Sequence, residues 1–244
     1  MGNPLQLLRN STILARTVRQ AMADFRRHSR NANPHLSDAD RAGWMHEWCG
    51  KAMRGLGINL QVIGPPPDAG LIVSNHLSYL DIFAYGTVMP CVFVSKSEVR
   101  DWPVFGKLTT MAGTVYVDRK RKSDTKAANE GIQRALQQGL RVVIFPEGTS
   151  SDGTCVLPFY PSLFEPAVAS DAPVTAAHIS YTLHDGDVGR DIAYWGDMTF
   201  FPHLLKLLSK RGLSATVKFN PQSRQFDDRK TAAVQMREEV LKLH

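Results

Sequence analysis

Short apolar runs alternate with segments of helical periodicity along most of this chain, and that alternation limits the folds open to it. The best-defined runs are rich in β-branched residues and cover 71–73, 92–95, 114–117 and 141–145. Between them lie segments with apolar residues at helical spacing, most clearly 123–138, which Gly139 ends. Strands that alternate with helices form a largely parallel sheet covered on both faces. The sequence therefore predicts an α/β fold with a mostly parallel central sheet covered by helices.

The remaining elements follow the same pattern. Further strands are predicted at 59–63, 174–181, 191–195 and 215–219, and further helices at 79–88, 203–210 and 228–243. A helix at 38–55 has a capping signal at its start, where Ser37 is followed by Asp40.

The N-terminal segment, residues 5–30, has the pattern of a basic amphipathic helix. Its apolar stripe consists of Leu7, Leu14, Val18, Met22 and Phe25. The rest of its surface carries Arg9, Arg16, Arg19, Arg26, Arg27 and Arg30 against one acidic residue, Asp24. Such a helix suits the interface of an anionic membrane, where each basic residue contributes about 1 kcal/mol. The alternative is that the stripe packs on the protein's own core. We divide the chain into a membrane-interface helix, residues 1–35, and a second unit, residues 36–244.

Composition narrows the classes of partner. The net charge of +6 favours anionic partners such as phospholipid headgroups, phosphorylated substrates, coenzyme A or an acidic carrier protein. The basic run at 118–122 has no interleaved aromatic residues, so no nucleic acid is expected. Cysteine and histidine spacings match neither a disulfide framework nor a metal site.

No apolar run approaches the roughly 18 residues that cross a bilayer, and no signal-peptide pattern is visible. We therefore expect a peripheral protein on the cytoplasmic face of a membrane.

The segment from Asn75 to Asp81 carries a pair of side chains that suits catalysis. His76 follows an apolar strand at the mouth of a predicted helix, and Asp81 stands five residues later. An uninterrupted helix would place the two about 140° apart, so they meet only if His76 precedes the helix and Asp81 lies in an early turn. The carboxylate would then orient one ring nitrogen and leave the other as a general base for a substrate hydroxyl.

Two further loops that follow apolar strands carry polar residues suited to ligand binding. Residues 145–150 combine a carboxylate and two hydroxyls with a predicted turn whose N–H groups suit an anion or a polyol. Residues 113–119 end in Arg119 at the start of a helix, where cations oppose the helix dipole unless an anion is bound. Loops that follow the strands of such a sheet gather at one edge, so these residues are expected to form one site with His76.

With these residues the sequence resembles the glycerolipid acyltransferase family, which includes lysophosphatidic acid and glycerol-3-phosphate acyltransferases. That family has, in order, an N-H-x-x-x-x-D block, a G-x-x-F-I-D-R block, an F-P-E-G-T block and a proline-containing apolar block. The corresponding residues here are 75–81, 113–119, 145–150 and, loosely, 172–177. The resemblance covers about residues 57 to 180, and three blocks in the right order make it specific.

The resemblance implies an O-acyltransferase that moves a fatty acyl group from an acyl-CoA or acyl-carrier-protein thioester to the hydroxyl of a lysolipid, with no bound cofactor and no metal. His76 would deprotonate the hydroxyl and Asp81 would orient His76. The acceptor-binding residues would be Arg119, Glu147, Gly148 and Thr149. Lys96 matches a lysine common between the first two blocks, and it would bind the acceptor or stabilise the oxyanion.

The resemblance implies 1-acylglycerol 3-phosphate as the acceptor, with lyso-ornithine lipid and glycerol 3-phosphate as alternatives. Three departures from the family pattern keep these alternatives open. Ser150 stands where many members carry arginine, Ala176 where a second proline is usual, and residues 159–163 where many members have a segment that contains lysine and glycine. A non-catalytic lipid-binding protein of the same fold is the alternative from another class. The intact His76, Asp81 and Glu147 count against it.

Overall fold

The computed structural model describes residues 3–31, 36–118 and 122–244, and its framework is one β-sheet. Within these residues seven strands are present, in the order β1-β7-β6-β2-β5-β3-β4 across the sheet. They are β1 (Asn59–Ile63), β2 (Gly70–Ser74), β3 (Val92–Lys96), β4 (Val115–Val117), β5 (Arg141–Ile144), β6 (Val174–Leu183) and β7 (Leu213–Phe219).

Neighbouring strands in this sheet are parallel, with the exception of β6 and β7, which are antiparallel. The chain leaves β6 at Leu183 and re-enters the sheet at Leu213, which pairs with Leu183. Because it returns at the end where it left, β7 runs antiparallel to β6. The predicted mostly parallel sheet is therefore confirmed.

The helices that cover the sheet were predicted in most cases. Those described are α1 (Pro4–Asn31), α2 (Asp38–Leu56), α3 (Leu80–Val88), α4 (Phe105–Met111), α5 (Lys122–Gln137), α6 (Glu165–Ala169), α7 (Val188–Asp191), α8 (Phe200–Leu208) and α9 (Arg229–Lys242). Short 3-10 helices span Ser97–Asp101 and Pro161–Leu163. None of the helices in the described ranges is long and apolar enough to span a membrane.

Strand β2 shows why apolar and polar residues do not alternate along the central strands. All five of its residues are buried. Leu71 and Val73 belong to a core layer shared with α5 and α9, whereas Ile72 belongs to the opposite layer, shared with α2 and α3. Because both faces of a parallel sheet are covered, a central strand carries apolar residues at successive positions.

Helix α1 packs against α2 and α8. Leu7, Leu14 and Phe25 contact the core, and Ala21 is buried in it. Leu5 and Leu8 remain exposed, at 77% and 68%. Much of the apolar stripe therefore packs against the protein's own core, which is the second of the two alternatives for this helix. The division of the chain at residue 35 stays a prediction, and residues 32–35 lie outside the described part.

The structure confirms the capping signal of α2, corrects one predicted strand and contains one helix that was not predicted. Ser37 and Asp40 form a reciprocal capping box, and Gly57 ends the helix in the left-handed conformation at φ 68°. The strand predicted at 191–195 is wrong, because Asp187 caps a helical turn there by accepting from the Arg190 N–H at 2.9 Å. Helix α4 was not predicted, since Pro103 and Gly106 interrupt its periodicity.

Candidate active site

His76 and Asp81 meet at the end of β2. His76 lies in the loop before α3, and Asp81 is the second residue of that helix. The Nδ1 atom of His76 lies 2.7 Å from Asp81 Oδ2, which confirms the predicted geometry. This bond engages Nδ1 and leaves Nε2 as the ring nitrogen available to a substrate. The imidazole stacks on Phe145, with 4.2 Å between the ring centroids, so its plane is also fixed.

The Asp81 carboxylate is fully buried and has hydrogen-bond partners at both oxygens. Besides His76, Oδ2 accepts from the backbone N–H groups of Leu77 at 2.8 Å and Ser78 at 3.1 Å. Oδ1 accepts from the hydroxyl of Tyr181 at 2.7 Å. Burial raises the pKa of Tyr181 well above its ordinary value, so the phenol keeps its proton and donates it. A carboxylate held in this way can orient the imidazole without moving.

Asn75 attaches the His76 loop to the sheet. Its side-chain amide donates to the carbonyl of Ile179 at 2.9 Å and accepts from the N–H of Ile179 at 2.8 Å. Strand β2 ends at Ser74, whereas β6 continues, so the Asn75 side chain takes the place of the next pairing partner. The asparagine of the first block therefore fixes the loop against β6.

Glu147 holds the same loop from the other side. Its buried carboxylate accepts from the N–H of His76 at 2.9 Å and from the N–H of Leu157 at 3.2 Å. The N–H of Ser151 donates to the carbonyl of His76 at 2.9 Å, so the 145–157 loop binds both main-chain groups of His76. Burial raises the pKa of Glu147 to about 7, although the two N–H donors oppose that rise. The assignment of Glu147 to acceptor binding stays a prediction.

His76 lines a cavity of about 340 Å³. Three of the predicted acceptor residues line it with His76, namely Lys96, Gly148 and Thr149. Ser150 lines it too, and its hydroxyl donates to the carbonyl of Tyr194. Arg119, assigned to the acceptor on sequence grounds, lies outside the described residues.

An almost wholly apolar cavity of about 90 Å³ lies beside the first one. The two share Tyr79, Ile82, Val99 and Trp102 as walls. Its other walls come from α1, α2, α3, α4 and α8; they include Leu14, Ala21, Met45, Cys49, Phe83, Phe105, Ala112 and Phe200. This space suits a small apolar group, such as part of a hydrocarbon chain.

Sequence reasoning missed several residues that shape the site. Arg237 of α9 donates to the carbonyls of Val156 at 2.6 Å and Leu157 at 3.0 Å, and so anchors the loop that carries Glu147. Tyr181 was also missed, although strand periodicity places it on the same face as Ile179. Trp102 and Phe200 belong to segments that carry no block of the family pattern, so no signal marked them.

The described residues include no cluster of histidine, cysteine, aspartate or glutamate that could hold a metal ion. In the same part of the chain, His76 is an imidazole oriented by a buried carboxylate, an arrangement that can accept a proton from a hydroxyl group.

Comparisons with known proteins bear on this geometry. A family model described as Acyltransferase matches residues 60–180. The chain is 35% identical over 171 residues to the 1-acyl-sn-glycerol-3-phosphate acyltransferase of Neisseria gonorrhoeae, a match that covers 69% of this chain and 67% of that protein. It is 38% identical over 175 residues to the lyso-ornithine lipid O-acyltransferase of Rhodobacter capsulatus, covering 68% of this chain and 62% of that protein. The matched segments therefore span about two thirds of these relatives' lengths.

The fold also has a counterpart among solved structures. The crystal structure of the 1-acyl-sn-glycerophosphate acyltransferase from Thermotoga maritima superposes with a TM-score of 0.70. The match covers 99% of this chain and 95% of that one, at 19% sequence identity. At that identity the likeness concerns the fold.

Proposed function

Since this chain belongs to the acyltransferase family, we propose that it transfers a fatty acyl group from a thioester to the hydroxyl of a lysolipid. The observation that carries the proposal is the His76–Asp81 pair at the wall of a cavity. A histidine oriented by a buried carboxylate is a general base, and here the nucleophile is the hydroxyl that the substrate brings.

The first step is attack of the acceptor hydroxyl on the thioester carbonyl. His76 Nε2 takes the hydroxyl proton as the new C–O bond forms, and Asp81 stabilises the imidazolium through Nδ1. Negative charge develops on the carbonyl oxygen, and Lys96 lines the cavity as a cation that either stabilises this oxyanion or binds the acceptor.

The second step is collapse of the tetrahedral intermediate. The C–S bond breaks, the carbonyl reforms, and His76 returns its proton to the leaving thiolate. The products are the acylated lipid and a free thiol, and the enzyme regains its starting protonation state. The thiol belongs to coenzyme A or to an acyl carrier protein, and the basic charge of the chain suits either donor.

In this proposal the apolar cavity receives part of the fatty acyl chain. It shares the wall of Tyr79, Ile82, Val99 and Trp102 with the cavity that contains His76. A hydrocarbon chain buried there contributes about 0.8 kcal/mol per methylene. Remote binding of this kind places the thioester carbonyl next to His76.

We take 1-acylglycerol 3-phosphate as the first candidate acceptor and lyso-ornithine lipid as the second. The relatives in Neisseria gonorrhoeae and Rhodobacter capsulatus carry these two names at comparable identity. Ser150 favours the second candidate, because it brings an uncharged hydroxyl where many members of the family carry arginine, and that hydroxyl bonds to the carbonyl of Tyr194. Arg119 favours the first, since a guanidinium binds phosphate through two parallel hydrogen bonds. Glycerol 3-phosphate is the third acceptor to be tested.

The reaction takes place at the cytoplasmic face of a membrane, with the protein bound peripherally. Helix α1 carries exposed Leu5 and Leu8 together with exposed Arg9, Arg16 and Arg19. Apolar and cationic side chains exposed on one helix suit an anionic lipid surface. Both substrates of the proposed reaction carry lipid chains, so this location brings the enzyme to them.

The test offers purified protein each donor, acyl-CoA and acyl carrier protein thioester, with each of the three acceptors. Products are identified by mass spectrometry. We expect one acceptor to be acylated, and expect His76→Ala to lower the rate by about 10²- to 10⁴-fold, the usual contribution of a general base. Exposed His184 provides the matched control, His184→Ala, which should keep wild-type activity.

Two results would contradict the proposal. A folded His76→Ala protein with near-normal turnover would exclude the mechanism. A wild-type protein that binds lysolipid but acylates none of the acceptors would favour the non-catalytic lipid-binding alternative.

A further inference from the structure

The hydrogen bond between Tyr181 and Asp81 connects the proposed catalytic pair to a strand far away in the sequence. Among the residues that the structure describes, three donors bond to Asp81 Oδ2, whereas the Tyr181 hydroxyl is the one donor at Oδ1, at 2.7 Å. We propose that Tyr181 is a positioning residue for acyl transfer, which acts by holding the Asp81 carboxylate in the orientation that binds His76. The inference rests on the proposed function.

The fourth donor restrains the carboxylate at its second oxygen. Rotation about the terminal torsion of an aspartate is broad and roughly two-fold, and it moves both oxygens of the planar group together. A donor at Oδ1 therefore adds to the three at Oδ2 in opposing that rotation and keeps Oδ2 directed at His76 Nδ1. It also withdraws charge from the carboxylate, which lowers its tendency to take the proton from the imidazolium that forms during transfer.

The fold sets Tyr181 at this point through the register of β6. Asn75 pairs with the main chain of Ile179, and Tyr181 is two residues further along the same strand, on the same face. Tyr181 lies beyond Ala177, the last β6 residue that pairs with β2, yet it pairs with Ala215 of β7. The hydroxyl is therefore carried by a paired strand, next to the loop that it supports.

A second buried tyrosine supplies a matched control. Tyr85 is also fully buried, but its hydroxyl donates to Ser74 Oγ at 2.7 Å rather than to Asp81. Tyr85→Phe and Tyr181→Phe each remove one buried hydroxyl with one hydrogen bond. A general loss of packing or stability should affect both variants, whereas the hydrogen bond to Asp81 Oδ1 is lost in Tyr181→Phe alone. Among the described residues, Asp81 also interacts with the titratable groups of His76, Glu147 and Tyr85; both variants keep the first two, and Tyr85→Phe tests the third.

The experiment compares wild type, Tyr181→Phe and Tyr85→Phe in the full chain, with kcat and KM measured separately. Proton NMR of protein labelled with ¹⁵N-histidine reports the His76 Nδ1 proton. For Tyr181→Phe we expect kcat to fall about tenfold, which corresponds to about 1.4 kcal/mol in the barrier. KM for both substrates should stay unchanged. The Nδ1 proton should move downfield, because a carboxylate with fewer donors accepts more strongly from those that remain.

Tyr85→Phe should match the wild type in both kcat and the Nδ1 resonance. A double-mutant cycle adds an independent check: in an Asp81→Asn background, Tyr181→Phe should cause little further loss, because it acts through Asp81. If Tyr181→Phe does not fold, site-specific 3-fluorotyrosine, a stronger donor, should move the resonance upfield.

Wild-type kcat and resonance in Tyr181→Phe would overturn the inference, and so would equal losses in the two phenylalanine variants. A fluorotyrosine protein with an unshifted resonance would overturn it as well. Failure of the proposed function looks different, because the wild type itself would then transfer no acyl group to any acceptor.

Discussion

Replacement of Glu147 by glutamine tests whether this buried carboxyl is protonated near neutral pH. Burial raises the pKa of Glu147 from 4.5 to about 7, against the lowering effect of the His76 and Leu157 N–H donors. A carboxyl whose pKa is raised on folding binds its proton more tightly in the folded state. Its contribution to stability is therefore fully present below 4.5 and is lost as the pH rises through 7.

The size of this pH effect on stability follows from the two pKa values of Glu147, 4.5 in the unfolded chain and about 7 in the folded protein. At about pH 5.5 the folded protein carries the proton while the unfolded chain has lost it, and at about pH 8 both have lost it. Linkage then gives a decrease of about 2 kcal/mol in the free energy of unfolding between these two pH values. Glutamine does not titrate, so Glu147→Gln should lack this decrease.

The assay is urea denaturation of wild type and Glu147→Gln at both pH values. The comparison matters because other groups titrate as well. Burial lowers the pKa of His178 to about 4, and that group destabilises the folded protein as the pH falls below 6.5, which is the opposite trend. His178 is present in both proteins, so its effect cancels in the difference. Glu130→Gln, on the exposed surface of α5, is the control and should follow the wild type.

The expected result is a difference of about 2 kcal/mol between the pH responses of wild type and Glu147→Gln. An identical response in the two proteins would refute the reasoning, since Glu147 would then be ionised in the folded state at both pH values.

Three further predictions concern the rest of the site. Asn75→Ala leaves the N–H and C=O groups of Ile179 without their partners, so urea denaturation should show that the free energy of unfolding falls by about 2–4 kcal/mol. A decrease below about 1 kcal/mol would contradict the role given to this side chain. Ala112→Leu fills part of the apolar cavity and should shift the preferred acyl donor to a chain shorter by about two to four carbons, as assayed with a series of thioesters. An unchanged preference would place the acyl chain elsewhere. The double variant Arg9→Glu with Arg16→Glu should weaken co-sedimentation with anionic vesicles by about 30-fold or more at low salt. The effect should be smaller at about 1 M salt, where the Debye length is about 3 Å. Equal binding by the folded variant would place the membrane contact elsewhere.

The charge-reversal variants are preferable to deletion of residues 1–30 because of how α1 packs. Its side chains Leu7, Leu14 and Phe25 contact the core, so a deletion would expose that core as well as remove the arginines. Arg9 and Arg16 are exposed, and their replacement changes the surface charge while the packed residues stay in place.

The sequence predicted those parts of the site that depend on neighbours in the chain. His76 and Asp81 are five residues apart, and the requirement that they meet was enough to place one before α3 and the other inside it. The capping box of α2 is local in the same sense, because Ser37 and Asp40 satisfy each other's backbone groups. When two partners are so close in the chain, few backbone conformations let them meet, and the residue types are enough to predict which one forms.

The supports of the pair could not be predicted in that way. Tyr181 reaches Asp81 only because β6 lies beside β2 and is held in register by Asn75. The wrong strand at 191–195 has a similar cause. The carboxylate of Asp191 pairs with Lys206 of α8 at 2.7 Å and with Lys210 at 2.9 Å, contacts across 15 or more residues that no local pattern contains.

The positions of these supports also indicate how acceptor preference can change within one family. Asn75, Glu147 and Tyr181 bond to main chain or to Asp81, and all three are buried. Lys96 and Ser150 line the cavity, and the Ser150 hydroxyl bonds to the carbonyl of Tyr194 rather than to Asp81 or to the His76 loop. A substitution at a cavity residue can therefore alter the charge offered to a headgroup while the general base keeps its geometry. We therefore expect that Ser150 in place of an arginine alters the preference among lysolipids while the His76–Asp81 geometry is kept.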